Sequence, residues 1–248
     1  MKKYCCTIVS ISNNLQMTNN FISDLEKQKD VDYQLMLIDN TQNRFGGARE
    51  AFNSIIRKIQ NDTVIFLHPD IRFLSDRALV SILIEVENIQ DYGVIGVAGC
   101  PEGAKWRLLS NIYHGEGKVK AGKKIVKSME VQTVDECFFI MNKNIIEKMK
   151  FTSLNGWHLY AVEQCLRMTK LGKRNYVVPA NLWHLSDGKS LDPKYMKCLE
   201  KLIDIYRCDV DCINTTVKQW KTHGLKAVIY RKYYYMKQCI KKVAVKKQ

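Results

Sequence analysis

The sequence predicts an α/β fold in which a mostly parallel sheet is flanked by helices. Through the first hundred residues, short apolar runs alternate with amphipathic stretches, a pattern typical of successive strand–helix–strand units. Apolar residues at helical spacing within one of these stretches are a second indication. The third is a 46% hydrophobic composition over 248 residues, which is ample for a packed core. Together these observations favour a doubly wound sheet.

Four strands and three helices are expected in the first hundred residues. The runs CTIVSI, YQLMLID, TVIFL and GVIGVAG predict the strands. The first helix is predicted to end at about Lys27, the second to run from about Phe45 to Gln60, and the third from about Ser75 to Ile89. The apolar stripe of the second helix consists of Ala48, Phe52, Ile55, Ile56 and Ile59.

The pattern loosens between residues 106 and 131, where HGEGKVKAGKK predicts a mobile loop rich in glycine and lysine. Two strands are then expected on either side of an acidic turn at Asp135 and Glu136, followed by a short helix. The segment GWHLYAVEQCLRMTKLGK predicts a helix that ends near Gly172, and NYVVPA predicts a further strand.

Polar residues follow three of the predicted strands, at residues 10–12, 39–40 and 68–70. Ligands of doubly wound sheets bind beyond the carboxyl ends of the strands, so these residues indicate one candidate site. No GxGxxG or Walker A pattern follows any of these strands, which disfavours a Rossmann-type dinucleotide site and a P-loop. Asp70 beside His68 suits a divalent ion that holds a diphosphate. The same HPD segment is also typical of a turn.

The chain is strongly basic, with 39 Lys and Arg against 25 Asp and Glu and a formal net charge of +14. This balance favours anionic partners such as phosphate-bearing substrates, nucleic acid or an acidic membrane face. Residues 218–248 carry much of the excess. A helix is predicted there, with an apolar stripe at Leu225, Ile229, Tyr233, Met236 and Ile240. This stripe either binds an anionic membrane surface or packs on the rest of the protein.

The cysteines and the apolar runs indicate the compartment. Nine scattered cysteines without a CxxC spacing favour a reducing cytoplasm. No apolar run approaches the roughly 20 residues of a membrane-spanning helix. We therefore expect a cytoplasmic protein, soluble or peripheral on the inner face of the cell membrane.

The order of these segments resembles that of the GT-A fold glycosyltransferases, in particular a bacterial subgroup of family 2 whose third strand ends in His-x-Asp. The resemblance runs from about Tyr4 to Gly188. TIVSI corresponds to the nucleotide-binding strand, LIDNT to a carboxylate for the nucleobase or ribose, GGAREAFNSII to a loop and helix, and VIFLHPDI to the metal strand. VDECFFIMNKN corresponds to the acceptor-side strands, GWHLYAVEQCLRMTKLGK to the helix of the catalytic base, and WHLSDG to a late histidine.

The resemblance implies inverting, metal-dependent transfer of a sugar from a nucleotide diphosphate sugar to a hydroxyl of a glycan or lipid-linked acceptor, as in bacterial surface polysaccharide synthesis. Glu163, the only carboxylate on its helical turn, would be the catalytic base, with Asp135 as first alternative. Mn²⁺ or Mg²⁺ would be held mainly by Asp70, with His184 as a further ligand. Contacts to the donor are expected from Ser10, Asp39, Asn40, Arg49, His68 and Asp70. Contacts to the sugar or acceptor are expected from Asp135, Trp157 and His158.

Two other functions remain open on the sequence. A nucleic-acid-binding protein could use the basic tail and its aromatic residues, but it has no use for the acidic and histidine residues at the strand ends. A sugar nucleotidyltransferase usually has a glycine-rich segment near the first strand, which is missing here. We therefore expect no nucleic-acid partner. The transferase domain is predicted at residues 1–190, followed by a basic helical extension at 191–248.

Overall fold

The computed structural model describes residues 3–103, 105–186 and 191–245, and the side chains as far as residue 242. Its strands are β1 (Tyr4–Ser12), β2 (Val31–Asp39), β3 (Thr63–Leu67), β4 (Ile71–Phe73), β5 (Tyr92–Gly96), β6 (Ala98–Cys100), β7 (Leu109–Ser110), β8 (Tyr113–His114), β9 (Val119–Lys120), β10 (Met129–Val131), β11 (Thr133–Val134), β12 (Phe138–Asn142), β13 (Arg174–Val177), β14 (Leu182–His184), β15 (Cys212–Asn214) and β16 (Gln219–Lys221). Its helices are α1 (Leu15–Leu25), α2 (Ala48–Asn53), α3 (Ala78–Glu87), α4 (Lys143–Met149), α5 (Tyr160–Lys170), α6 (Pro193–Tyr206) and α7 (Leu225–Val245), with a 3₁₀ turn at Ile56–Lys58.

The central sheet has seven strands in the order β10-β13-β5-β12-β3-β1-β2. β1 runs parallel to β2 and β3, and β13 runs parallel to β5. β12 lies antiparallel between β3 and β5, and β10 lies antiparallel to β13. Five of the seven strands therefore share one direction. The predicted mostly parallel sheet is confirmed.

Both faces of the sheet are covered by helices, which explains the apolar run Val64 to Leu67 in β3. Ile65 and Leu67 lie in a core that also contains residues of α1 and α3. Val64 and Phe66 face the opposite core, which contains residues of α2, α4 and α5. A strand buried on both faces has no solvent side and therefore no polar alternation.

The second predicted helix is wrong in length, because α2 ends at Asn53 and only a 3₁₀ turn follows. Ser54 donates its backbone N–H to the carbonyls of Glu50 and Ala51 and its hydroxyl to Ala51. This side-chain bond competes with continued helix at the residue where α2 stops. The loop predicted from residue 106 is also partly wrong, since it contributes β7, β8 and β9.

A small second sheet joins distant parts of the chain beside the carboxyl end of β3. Its order is β4-β14-β8-β9. His184 pairs with Ile71 of β4 on one side and with His114 of β8 on the other. Three predicted segments, HPD, WHLSDG and the glycine-rich loop, thus meet there. Asp187 and Gly188 of the second segment lie outside the described residues.

The region after residue 190 contains α6, the β15–β16 hairpin and α7, so the extension predicted to be helical also holds a hairpin. Residues of α6 and buried Trp220 share a third core with Val162 and Leu166 of α5. Of the helices that the structure describes, none has the combination of length and apolar character needed to cross a bilayer. The predicted boundary at residue 190 stays a prediction.

Candidate active site

His68 and Asp70 lie in a tight turn that connects β3 to β4. The His68 N–H donates to the carbonyl of Cys137 at 3.0 Å, and the N–H of Ile71 closes the turn on the His68 carbonyl at 3.2 Å. Leu185 donates its N–H to the Asp70 carbonyl at 3.0 Å. The HPD segment is therefore a turn, and the turn presents both side chains at the edge of the sheet.

His184 completes a group of three side chains that could hold a metal ion. One ligand atom each from His68, Asp70 and His184 can be chosen so that all lie within 4.8 Å of one another. His184 Nε2 is 3.3 Å from Asp70 Oδ2, and His68 Nδ1 is 4.0 Å from Asp70 Oδ1. The sequence placed all three residues at strand ends, and the strand pairing brings them together.

The polar atoms of this group are poorly satisfied by the protein itself. Asp70 Oδ1 and His114 Nε2 are buried and make no hydrogen bond within the part of the chain that the structure describes, and buried His184 Nε2 has only its 3.3 Å ion-pair contact with Asp70 Oδ2 there. The His114 ring lies 5.6 Å from that of His184. Unpaired buried polar atoms are costly. A bound cation that took Asp70 and His184 as ligands would satisfy them, so these residues fit a metal.

Electrostatic coupling favours opposite charges on Asp70 and His184. Burial raises the pKa of Asp70, but the two neighbouring histidines outweigh it and leave this pKa below its ordinary value. Burial lowers the pKa of His184, and the Asp70 carboxylate outweighs it and leaves this pKa raised. The pKa of His68 is lowered, chiefly by desolvation. His68 Nε2 shares a 2.8 Å hydrogen bond with the hydroxyl of Tyr160.

A cavity of about 1070 Å³ opens in front of this group. Of the predicted site residues, five line it: His68, Asp70, Asp135, His158 and His184. The β8–β9 hairpin covers one side and the turn at residues 215–217 lies on another. A cavity of this size is in the range of ligand sites that enclose most of a small molecule.

Asp135 and Glu136 bring two adjacent carboxyl groups with different pKa values into the cavity. Asp135 accepts the N–H of Cys137 at 2.9 Å and the hydroxyl of Thr216. Burial raises the pKa of Asp135, but these hydrogen bonds and nearby His184 outweigh it and leave the pKa lowered. Burial, and then the charge of Asp135, raise the pKa of Glu136 to about 8. At neutral pH Asp135 is ionised and Glu136 holds a proton.

Glu163 lies outside the cavity and is fully occupied by an ion pair. Its Oε2 accepts Arg49 Nε at 2.5 Å, and its Oε1 accepts the Thr152 hydroxyl at 2.7 Å. Both charged side chains are only 1% exposed. A general base must reach the proton that it removes, and this geometry does not favour Glu163 in that role. Its assignment as the base stays a prediction, as does the contact of Arg49 with the donor.

The remaining predicted donor residues lie on β1 and at the end of β2. Ser10 is buried within β1, and its hydroxyl has no partner among the described residues. Asp39 is exposed at the end of β2, where the N–H and hydroxyl of Thr41 lower the pKa of its carboxyl. The side chain of Asn40 accepts the N–H of Phe45. β1 separates β2 from β3, so Asp39 lies two strand spacings, about 10 Å, from the strand that carries His68.

Trp157 and His158 precede α5 and differ in their access to the cavity. Trp157 packs, partly buried, against the core beneath α2 and α5. His158 lines the cavity and places Nε2 3.3 Å from Asp192 Oδ1. Burial lowers the pKa of His158 despite this neighbour. Only His158 is positioned to contact a ligand in the cavity.

Comparison with known proteins identifies the family. A profile of the glycosyltransferase-like family matches residues 6–204, which is most of the chain. The chain belongs to this family. A curated relative, "ATP synthase subunits region ORF 6" of Fuscovulum blasticum, is 24% identical over 181 residues, or 66% of this chain and 69% of the relative.

Two solved glycosyltransferase structures share the fold. The mannosyltransferase PcManGT of Pyrobaculum calidifontis, in complex with GDP-Man and Mn²⁺, matches with a TM-score of 0.57 and 10% identity, over 85% of this chain. The match spans 66% of that structure, just under two thirds of its length. S. aureus TarS in complex with UDP-GlcNAc matches with a TM-score of 0.54 and 11% identity, over 84% of this chain and 68% of that one. The predicted GT-A fold is thus confirmed.

The structure of this glycosyltransferase-like protein adds three residues that the sequence did not assign to the site. Glu136 was predicted only as part of a turn, and His114 lies in a segment predicted to be a loop. Thr216 lies beyond the family match, so its contact with Asp135 had no counterpart in the resemblance. An acidic pair directly before the apolar strand CFFIM was the available signal for Glu136. No comparable signal marks the other two.

Proposed function

We propose that this protein transfers a sugar from a nucleotide diphosphate sugar to an acceptor hydroxyl, with inversion, and that a divalent metal is required. The observation that carries the proposal is the group His68, Asp70 and His184 at the mouth of the cavity, with ligand atoms within 4.8 Å. Its position at the carboxyl end of β3 is where α/β sheets bind ligands. The family supplies the reaction class.

Asp70 and His184 would hold the metal, with His68 beside them. Two imidazoles and one carboxylate favour Mn²⁺ over Mg²⁺, because Mg²⁺ prefers oxygen ligands. A metal bound there would supply positive charge opposite the diphosphate that leaves with the nucleotide. PcManGT binds GDP-Man and Mn²⁺ on the same fold, which supports this assignment for the present chain.

Asp135 is the base that we favour for the acceptor hydroxyl. It lines the cavity, and its lowered pKa keeps it ionised at neutral pH. Glu136 is protonated below a pKa of about 8, and its Oε1 already accepts the Tyr160 N–H at 2.7 Å. Two neighbouring carboxyl groups with separated pKa values can hold different roles. Asp135 would take the proton from the attacking hydroxyl while Glu136 holds the start of α5.

The donor is expected to extend from the metal group along the edge of the sheet toward Asp39 and Asn40. The diphosphate would lie near Asp70, and the nucleoside would lie over the ends of β1 and β2, about two strand spacings away. The exposed Asp39 carboxylate supports a contact with a ribose hydroxyl. Contacts of the donor with buried Ser10 and Arg49 stay predictions of the sequence and would require local opening.

The acceptor is proposed to be a glycan or a lipid-linked glycan at an anionic membrane surface. The stripe predicted on α7 is exposed: Leu225 is 77%, Met236 62% and Ile240 68% accessible. Exposed lysines at 226, 232, 237, 241 and 242 accompany it. Arg231 does not take part, because it is buried and paired with Glu200. Apolar residues among lysines suit an anionic headgroup region.

This placement would put the enzyme on the cytoplasmic face of the membrane, where a transferase could extend lipid-linked glycans of a bacterial surface polysaccharide. The other face of α7 packs on the protein through Tyr234, Tyr235 and Arg231. The predicted alternative in which the apolar stripe packs on the rest of the protein is not seen, because the opposite face packs and the stripe stays exposed. Membrane binding rests on the charge and the exposure of that stripe.

The test is a donor screen. Purified protein is incubated with GDP-mannose, UDP-GlcNAc and related nucleotide sugars, with Mn²⁺ or with EDTA, and released nucleoside diphosphate is measured. Wild-type protein should release nucleoside diphosphate from at least one donor only when Mn²⁺ is present. Asp135→Asn should bind that donor and lose turnover by about 10²- to 10⁴-fold. Tight binding of nucleic acid, with no thermal stabilisation by any nucleotide sugar, would contradict the proposal.

A further inference from the structure

The wall of the cavity next to Asp135 is built by residues that lie beyond the family match. The match ends at residue 204, whereas Thr215, Thr216 and Val217 all line the cavity. These residues connect β15 to β16. A segment outside the shared family region therefore forms part of this chain's own site.

The turn is held by residues of β6, of the segment before β7 and of α6. Thr215 and Lys218 exchange backbone hydrogen bonds at 2.9 and 3.1 Å, which closes a turn with Thr216 and Val217 at its tip. The Thr215 carbonyl accepts Trp106 Nε1 at 2.8 Å and the thiol of Cys100 at 3.3 Å. The Thr215 hydroxyl lies 3.0 Å from the hydroxyl of Tyr195. The tip is thus anchored on several sides.

At the tip, the Thr216 hydroxyl donates to Asp135 Oδ2. The N–H of Cys137 donates to the other oxygen, Oδ1, at 2.9 Å. One donor on each oxygen fixes the plane of the carboxylate, and each oxygen keeps a further lone pair. Hydrogen bonds to a charged group are stronger than those between neutral groups. Loss of the Thr216 hydroxyl would remove the donor to Oδ2 and loosen the carboxylate, which the Cys137 N–H would still hold at Oδ1.

We propose that Thr216 is a positioning residue, which holds the Asp135 carboxylate toward the acceptor hydroxyl, and that the 215–217 turn is a wall of the acceptor subsite. This inference rests on the proposed role of Asp135 as the base. It assigns to the region after residue 204 a part in the reaction, in addition to the membrane contact proposed for α7.

The test compares Thr216→Val, which keeps the shape and removes the hydroxyl, with Thr216→Ser, which keeps the hydroxyl. Thr222→Val is the matched control, since the Thr222 hydroxyl donates to the Val210 carbonyl in the same region and does not contact Asp135. Turnover is measured as release of nucleoside diphosphate from GDP-mannose and UDP-GlcNAc with Mn²⁺. Binding of GDP and UDP with Mn²⁺ is measured by thermal shift.

Thr216→Val should lower kcat about 10- to 100-fold, the loss expected for one hydrogen bond to a charged group, and leave nucleotide binding unchanged. Thr216→Ser should restore most of kcat, and Thr222→Val should retain it. In an Asp135→Asn background, Thr216→Val should cause no further loss.

Two results would overturn the inference in distinguishable ways. Wild-type kcat in Thr216→Val, with turnover lost in Asp135→Asn, would leave the base in place and remove the positioning role. Full turnover in Asp135→Asn would remove the base assignment itself. Thr216→Ala serves as a second variant should Thr216→Val melt more than a few degrees below wild type, and the same kcat loss is expected for it.

Discussion

Replacing Glu163 by glutamine removes one charge from an ion pair that is almost completely buried. Arg49 would then keep its charge with 1% exposure and no carboxylate to compensate it. The glutamine amide oxygen can still accept from Arg49 Nε, and Nη1 still donates to the His158 carbonyl at 3.2 Å, but both acceptors are neutral. Removing one partner of a buried pair costs about 3–5 kcal/mol, because the other charge is left uncompensated. For 248 residues, the unfolding entropy converts this loss into a fall in Tm of roughly 6–10 °C.

Thermal melting by circular dichroism and turnover in the donor screen should be measured on the same samples. Glu163→Gln should show the lower Tm, and its kcat below the melting range should fall less than about tenfold. The double variant Arg49→Met with Glu163→Leu is the control, because replacing a whole buried pair by apolar residues is often close to neutral. A Glu163→Gln protein with the Tm of wild type and a 10²- to 10⁴-fold loss of kcat would refute this reasoning and identify Glu163 as the base.

Three further predictions follow from other contacts. The pKa of Glu136 is about 8 in the folded protein, against an ordinary value of 4.5, so the free energy of unfolding should fall as pH rises between these values, by at most about 1.4 kcal/mol per pH unit. Urea titrations at several pH values should show a weaker pH dependence for Glu136→Gln than for wild type, and equal pH dependence would contradict the raised pKa. A Cβ at Gly47 would lie 2.5 Å from the Gly156 carbonyl oxygen, so Gly47→Ala should cost about 1–3 kcal/mol. Gly46→Ala, whose Cβ would meet only the side chains of Asn155 and Glu50, should melt close to wild type. Replacing Lys232, Lys237 and Lys241 by glutamine should weaken binding to phosphatidylserine vesicles by roughly 3 kcal/mol, or about a hundredfold. The control makes the same change at exposed Lys58, Lys127 and Lys148, and equal vesicle binding by the two variants would show that α7 is not the membrane contact.

Much of the fold could be predicted because it is encoded locally. The uninterrupted apolar run at Val64 to Leu67 indicated a strand covered on both faces, and the two cores bear this out. The start of α2, which was predicted at about Phe45 and lies at Ala48, could not be predicted in the same way. Gly47 and Gly156 approach each other across more than a hundred residues, with Ala48 N–H donating to the Gly156 carbonyl at 3.1 Å. Such a contact leaves no local pattern.

Some residues of the site are likewise marked by the sequence around them, and others reach the site only through contacts with distant parts of the chain. Asp70 and His184 could be found because each lies at or just after the end of a predicted apolar strand, where ligands of such folds bind. His114 could not, because it reaches the site through the pairing of β8 with β14. Glu163 was predicted as the base from its place on a helix, yet its partner Arg49 is 114 residues away in the chain. A buried partner at that distance leaves no signal in the sequence around a carboxylate, and the role of Glu163 as the base stays a prediction.

Metal-dependent nucleotide binding at Asp70 is the most direct test of the proposed site. Calorimetric titration of GDP and UDP should be carried out on wild-type protein and Asp70→Asn, each with Mn²⁺ and with EDTA. Wild-type protein should bind one of the nucleotides only with Mn²⁺. Asp70→Asn should bind it at least about 100-fold more weakly, since even groups that only orient a metal ligand contribute 10- to 100-fold. Equal affinity in the two proteins, or binding that persists in EDTA, would contradict the proposed metal site.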